Sequence, residues 1–268
     1  MKCRVPGLKI GGTSFIVPDD YVPAVRGCAE YLDDISLLLL QVGPKGEYLL
    51  PASDIDELKR IGDGEGLTWN VHLPTDGDYS SDKAALEFTD NLCRAIDRTL
   101  PLAPHSWVLH VEADKTPREY MVPPLTEAET ERALASLERV RHHLPAPEYL
   151  ALENIEWHPA DYLDGILERM PFSRCFDMGH VWKDGHKPEE LLDRWLPEIR
   201  MCHLHGLEKR DHKSLHHMPE DKLDALLHKL WDIRFEPVIT LEVFTLDDFL
   251  NSHQAMMQSY ERYRRLYS

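Results

Sequence analysis

Eight short apolar runs recur along the 268-residue chain, and the stretches between them space their apolar residues by three and four. A short run with a strand's character followed by a helical period is one β/α unit. The runs are Lys9–Ile16, Asp34–Gln41, Leu67–Leu73, Ser106–Glu112, Glu148–Asn154, Ser173–Asp177, Ile199–Leu204 and Glu236–Val243. Several are nearly continuous in apolar residues, the pattern of a parallel sheet covered on both faces. Helical spacing is clearest over Ser81–Thr99, where Ala85, Phe88, Leu92 and Ile96 share a stripe, and over Thr126–His143, which opens on a Thr126/Glu129 capping box. Further helices are expected over Pro159–Arg169, Pro188–Trp195, Pro219–Trp231 and Leu246–Tyr267, three of them opened by a proline suited to the first turn. Eight such units in about 250 residues is the arithmetic of an α/β fold of the (β/α)8 barrel type, whereas a doubly wound sheet takes five or six strands. Gly11-Gly12-Thr13 is too short a signal for a dinucleotide-binding loop. No Gly/Ser linker or charge block divides the chain, so a single domain over residues 1–268 is expected.

Composition narrows the function classes. Asp and Glu number 47 against 30 Lys and Arg, a formal charge of −17. An extended nucleic acid is bound first through its phosphates by clustered cations, so no nucleic-acid partner is expected. The longest apolar run, Ile35–Leu40, falls far short of the ~18 residues a membrane helix needs, and the stretch from Met1 to Gly12 lacks the apolar region of an export signal. A cytoplasmic protein without a membrane partner is the expectation. The five cysteines are odd in number, scattered and without a C-x-x-C pair, which fits reduced thiols.

What closes each apolar run carries the chemistry. The third run ends on His72, the fourth on His110 and Glu112, the fifth on Glu153, the sixth on Asp177, the seventh on His203 and the eighth on Glu242. From His72 through His110, Glu153, Asp177 and His203 to Glu242 the steps are 38, 43, 24, 26 and 39 residues, each one β/α repeat. The six side chains are therefore expected on one rim, at the C-terminal ends of the strands, where barrel enzymes carry their sites. A lone histidine at a strand end is more often a hydrogen-bonded structural residue, and a lone buried glutamate a salt-bridge partner. Six in register differ, because unpaired carboxylates inside an apolar barrel are costly unless cations neutralise them.

Imidazole and carboxylate without thiolate suit Zn, Mn or similar divalent ions. His72 and His110 with a carboxylate would hold one ion, and Asp177, His203 and Glu242, with Glu153 as a bridge, a second. Such ions activate water and offset the charge that builds on a phosphoryl group. Glu153 and Glu242 are the candidate catalytic residues. Lys209, Arg210 and Lys213, in the loop after the seventh strand, are candidates to meet a substrate phosphate, against the plainer reading of a solvated charged loop. Other histidines read as structural: His142 and His143 at a helix end, and His105, His158, His186, His228 and His253 in loops or on solvent faces.

At these residues the chain resembles the xylose isomerase-like TIM-barrel superfamily, which includes AP endonuclease family 2, with its endonuclease IV-type enzymes, and sugar isomerases and epimerases. The four-ligand pattern of that superfamily falls on Glu153, Asp177, His203 and Glu242. Its endonuclease-like branch adds two strand-end histidines and one three residues after the strand-six aspartate, matched here by His72, His110 and His180. The match implies a multinuclear phosphoesterase with two or three divalent ions. The Asp-x-His of that branch has no counterpart in the stretch from Arg210 to His217, where His212 and His217 both stand open as a further ligand.

A closer resemblance is to the cobamide-remodelling phosphodiesterases of the same superfamily, known as CbiR. It is carried by Gly12-Thr13-Ser14, Pro18-Asp19-Asp20, Val71-His72-Leu73-Pro74, Asp177-Met178-Gly179-His180, His203-Leu204-His205-Gly206, Asp211-His212-Lys213-Ser214-Leu215 and Leu241-Glu242-Val243-Phe244. It implies hydrolysis of a phosphoester in the nucleotide loop of a cobamide, a vitamin B12-type cofactor, for corrinoid salvage and remodelling. The cobamide, or another small phosphodiester, would be a small-molecule substrate rather than a bound cofactor, since no cobalt-ligating Asp-x-His-x-x-Gly pattern is present. Two other readings share the ligands. A single-metal sugar isomerase or epimerase would use Glu153 and Glu242 as a proton-transfer pair across the metal. An AP endonuclease would have the ligands but an unfavourable charge.

Overall fold

Eight parallel strands pair in sequence order, and the last closes on the first to make a barrel. The computed structural model describes residues 2–40, 49–75, 77–113 and 121–267. The strands are β1 (Lys9–Thr13), β2 (Asp34–Leu38), β3 (Thr68–His72), β4 (Ser106–Leu109), β5 (Leu150–Glu153), β6 (Ser173–Asp177), β7 (Ile199–Leu204) and β8 (Val238–Leu241). Around them run α1 (Tyr21–Cys28), α2 (Ala52–Glu65), α3 (Asp82–Thr99), α4 (Glu127–Arg141), α5 (Asp164–Leu167), α6 (Met178–Lys183), α7 (Pro188–Trp195), α8 (Glu220–Asp232) and α9 (Leu246–Leu266). The (β/α)8 barrel expected from the alternation is therefore the fold.

Several strands stop short of their apolar runs, because pairing ends where the chain turns into the loop. β1 ends at Thr13 rather than Ile16, β4 at Leu109 and β8 at Leu241. Gln41, the expected end of the second strand, lies outside the described residues. The helix expected over Pro159–Arg169 contracts to the single turn of α5, which contains Gly165 and is preceded by turns after Pro159. α4 keeps its capping box, with the Thr126 hydroxyl accepting from the Glu129 N–H and the Glu129 carboxylate accepting from the Thr126 N–H.

Strand residues point alternately inward and outward, and the alternation sorts the interior into layers. Val108, Ala151, Cys175 and Met201, from four successive strands, form a small apolar cluster of their own inside the barrel. The large core lies outside it, between strands and helices, and holds Trp107, Leu152, Phe176, Leu204 and Leu241. Beneath the small cluster the barrel is plugged by polar side chains. Buried Asp34 accepts from Thr68 Oγ1 at 2.6 Å, Asn70 Nδ2 at 2.8 Å and His105 Nε2 at 2.9 Å. His105 is thus part of this plug rather than a solvent-face residue. Above the cluster the alternation brings six side chains to the opposite end, each two residues after a buried interior residue: His72 after Asn70, His110 after Val108, Glu153 after Ala151, Asp177 after Cys175, His203 after Met201 and Glu242 after Thr240.

Candidate metal centre

His72, Glu153 and Asp177 are the last residues of β3, β5 and β6; His203 is the next to last of β7, and His110 and Glu242 follow β4 and β8 by one. The three carboxylates lie in the interior, Glu153 at 1 %, Asp177 at 0 % and Glu242 at 5 % exposure. They surround one nitrogen. His203 Nδ1 is 2.8 Å from Glu153 Oε1, 3.2 Å from Glu242 Oε2 and 3.9 Å from Asp177 Oδ2. A single ring proton can be donated to one oxygen at a time, so this arrangement asks for more positive charge than the ring supplies. The other oxygen of Glu153 faces two imidazoles: it accepts from His110 Nε2 at 3.0 Å, and His72 Nε2 lies 3.3 Å away. Glu153 therefore joins both donor groups.

Local structure fixes the side chains. His72 Nδ1 donates to the Leu73 carbonyl at 2.9 Å, which leaves Nε2 facing the site. Asp177 Oδ1 caps α6 by accepting from the His180 N–H at 2.8 Å, while Oδ2 is buried without a hydrogen-bond partner. The Asp177 N–H donates to Asn154 Oδ1 at 2.9 Å, and Asn154 Nδ2 returns to the Asp177 carbonyl at 2.8 Å, tying the ends of β5 and β6 together. His203 Nε2 and His205 Nε2 are likewise buried without a hydrogen-bond partner.

Electrostatics follow from this crowding. Burial alone would raise the Glu153, Asp177 and Glu242 carboxyls, but the neighbouring imidazoles hold all three below the usual carboxylate range. Burial alone would lower His110, yet the charge of Glu153 and hydrogen bonds to Glu112 and Glu153 push it up to about 10. Hydrogen bonds to Asp211 and Glu242 do the same for His212, also against burial, to about 10. Protonated rings here occupy the place of cations.

Donor atoms of Glu153, Asp177, His203 and Glu242 lie within 4.8 Å of one another, as do those of His72, His110 and Glu153, and those of His180, His205 and His212. Each set could hold a divalent ion, and the buried Asp177 Oδ2, which accepts no hydrogen bond, is an atom such an ion would satisfy. His205 was not among the residues expected from sequence. It follows His203 by two in Met201-Cys202-His203-Leu204-His205, so strand alternation was the signal for it. Gly179 makes room for its ring: a Cβ there would stand 2.4 Å from His205.

Of the two open candidates in the stretch from Arg210 to His217, the structure brings His212 to the site, its Nε2 3.3 Å from Glu242 Oε2. His217 lies on a 3-10 turn (Leu215–His217), its ring against His216 at 3.8 Å, and does not line the cavity over the donor groups. That cavity, about 470 Å³, has His72, His110, Glu153, His180, His212 and Glu242 on its floor. Leu40, Val122, Ile155, Trp157 and Phe244 add an apolar part to its lining, beside Thr75, Glu112 and Glu156. His158, expected in a loop, also lines it. Lys209, Arg210 and Lys213 do not. Lys209 and Arg210 are exposed, and Lys213 is held by Asp248 Oδ2 at 3.3 Å.

Residues 39–266 match the family model described as xylose isomerase-like TIM barrel. The chain belongs to that family. Its members are enzymes that typically bind metal ions, among them epimerases, isomerases and endonucleases. Among solved structures of this family's fold, a D-tagatose 3-epimerase-like protein is 19% identical with a TM-score of 0.76, over 97% of this chain and 100% of that one. L-ribulose 3-epimerase is 18% identical with a TM-score of 0.71, over 97% and 98%. An AP endonuclease of family 2 from Brucella melitensis is 12% identical with a TM-score of 0.71, over 95% and 98%. No curated protein sequence matches. Among the described residues no helix is long and apolar enough to cross a membrane.

Proposed function

We propose that the protein is a metal-dependent phosphodiesterase that hydrolyses a phosphoester in the nucleotide loop of a cobamide. The observation that carries this reading is the surplus of donors. Glu153, Asp177, His203 and Glu242 already satisfy one four-coordinate ion, yet the His72/His110 pair shares Glu153 and the His180/His205/His212 group stands beside Asp177. A site so furnished suits two or three ions, and Zn or Mn fits the donor types. Divalent ions there would activate water and offset charge on the phosphoryl oxygens. Glu153 holds the two donor groups at a fixed separation. In this reading Glu153 or Glu242, both lining the cavity, takes the proton of the attacking water. The water oxygen joins phosphorus as the bond from phosphorus to the departing alcohol oxygen breaks, and the proton ends on that oxygen.

The side chains of Leu40, Val122, Ile155, Trp157 and Phe244 in the cavity lining support a substrate that carries an apolar part. The charge of −17 weighs against DNA. A sugar epimerase is the second reading, favoured by the epimerases among the similar structures and by Glu153 and Glu242 both approaching His203 Nδ1, at 2.8 and 3.2 Å. The test is to load the protein with Zn or Mn and incubate it with adenosylcobalamin, following the products by chromatography and mass. Release of the fragment bearing the lower ligand is expected. Intact substrate with the metals bound would overturn the reading.

A further inference from the structure

Lys183 closes α6, and its ammonium lies between carboxylates from two different loops. Nζ donates to Glu156 Oε1 at 2.8 Å and to Asp211 Oδ2. The remaining oxygen of each carboxylate faces an imidazole: Glu156 Oε2 is 3.3 Å from His180 Nε2, and Asp211 Oδ1 is 3.3 Å from His212 Nδ1. The far nitrogen of each ring then faces a carboxylate of the strand-end set. His180 Nδ1 is 3.3 Å from Asp177 Oδ2, and also 3.1 Å from the Asn154 carbonyl; His212 Nε2 is 3.3 Å from Glu242 Oε2. All five side chains of this relay, from His180 through Glu156, Lys183 and Asp211 to His212, are at most 25% exposed.

The relay has a physical reason. Glu156 and Asp211 sit beside three more buried carboxylates, and without a cation between them they would repel each other and compete with the imidazoles for any positive charge. Lys183 answers both with one ammonium and turns each toward its ring. His212 needs such a hold. Its backbone is left-handed, φ 54°, which a residue with a Cβ resists, and it lies in a loop closed by the Gly206 N–H donating to the Lys213 carbonyl at 2.6 Å. The His212 N–H adds a bond to His205 Nδ1 at 3.1 Å.

We infer that Lys183 is a positioning residue of the metal centre: through Glu156 and Asp211 it sets the ring orientation of His180 and His212 so that one nitrogen of each faces the strand-end carboxylates. The inference rests on the metal-centre reading above. Carboxylates that orient metal-binding histidines shift metal affinity by about 10–100-fold when removed, and Lys183 acts on two at once.

Cobalt(II) is the probe, since its visible spectrum reports the ligands. Native protein, K183M, K183R and D211N are stripped with chelator and titrated with cobalt(II), reading affinity and absorption together. Native protein is expected to bind more than one ion. K183M should bind the ion at His180 and His212 at least about tenfold more weakly, with a changed visible band, while the remaining ions bind as before. K183R should restore both, because a guanidinium can reach the same two carboxylates. If K183M does not fold, D211N, which cuts only the His212 arm, should show the same weakening. K183M or a folded D211N matching the native affinities and spectra would overturn the inference alone, as would a K183M defect that K183R leaves in place. Native protein that binds no cobalt(II) would overturn both this inference and the phosphodiesterase reading.

Discussion

Replacing Glu153 with glutamine tests the electrostatics of the site without changing its shape. Glu153 accepts from His203 Nδ1 at 2.8 Å and His110 Nε2 at 3.0 Å, and it is 1% exposed. Glutamine keeps the volume but leaves those protonated rings facing an amide. Removing one partner of a buried ion pair costs about 3–5 kcal/mol. His110 gives a similar scale: its rise from 6.5 to about 10 sets a ceiling of roughly 5 kcal/mol, part of it owed to Glu112. Because the folded-state value is raised, this stabilisation is fully present below 6.5 and is lost as the pH climbs through about 10. Urea unfolding of chelator-treated protein should therefore show Glu153→Gln about 3–5 kcal/mol less stable near pH 6, with the gap closing toward about pH 10. Equal midpoints near pH 6, or a gap that widens with rising pH, would refute the reasoning.

Three further outcomes are expected. Gly179→Ala places a Cβ 2.4 Å from the His205 ring, so it should lower stability by about 1–3 kcal/mol, read as a melting temperature a few degrees lower, and weaken metal retention at His180, His205 and His212. His212→Ala should lower the metal content of the loaded protein while His217→Ala leaves it unchanged, as measured by elemental analysis. Four of the five cysteines are buried, and burial pushes the Cys28 thiol up to about 11 and that of Cys175 up to about 12, so at about pH 8 a thiol reagent should label native protein at Cys3 alone and all five thiols only after unfolding.

The barrel and its six strand-end side chains were legible because both follow from periods that a sequence carries directly. The alternation of runs set the number of units, and the two-residue period of a strand set which side chain faces inward, as with Val108 and His110 or Ala151 and Glu153. The same period carried a signal for His205, which was nevertheless not among the expected residues. What lay beyond reach depends on where loops travel. Glu156, Lys183 and Asp211 come from three separate connections, and no spacing announces that one ammonium meets both carboxylates. The cations after β7 illustrate the converse: Lys209, Arg210 and Lys213 follow a site strand in sequence, yet the loop is closed between Gly206 and Lys213 and carries them away from the cavity. α1 and α2 went unmarked because Pro23, Gly27, Gly62 and Gly64 dilute their helical character, and it is packing that keeps them helical; a Cβ on Gly62 would stand 2.8 Å from Trp69.

A multinuclear centre bridged by Glu153 shows itself in how many metal ions the chain holds. The most direct measurement is the number of Zn or Mn ions per chain in protein loaded to saturation and freed of excess, alongside a His72→Ala/His110→Ala double variant. Two or three ions in the native chain, and one fewer in the double variant, are expected. One ion per chain, unchanged by loss of His72 and His110, would contradict the account and leave the single-metal epimerase reading in its place.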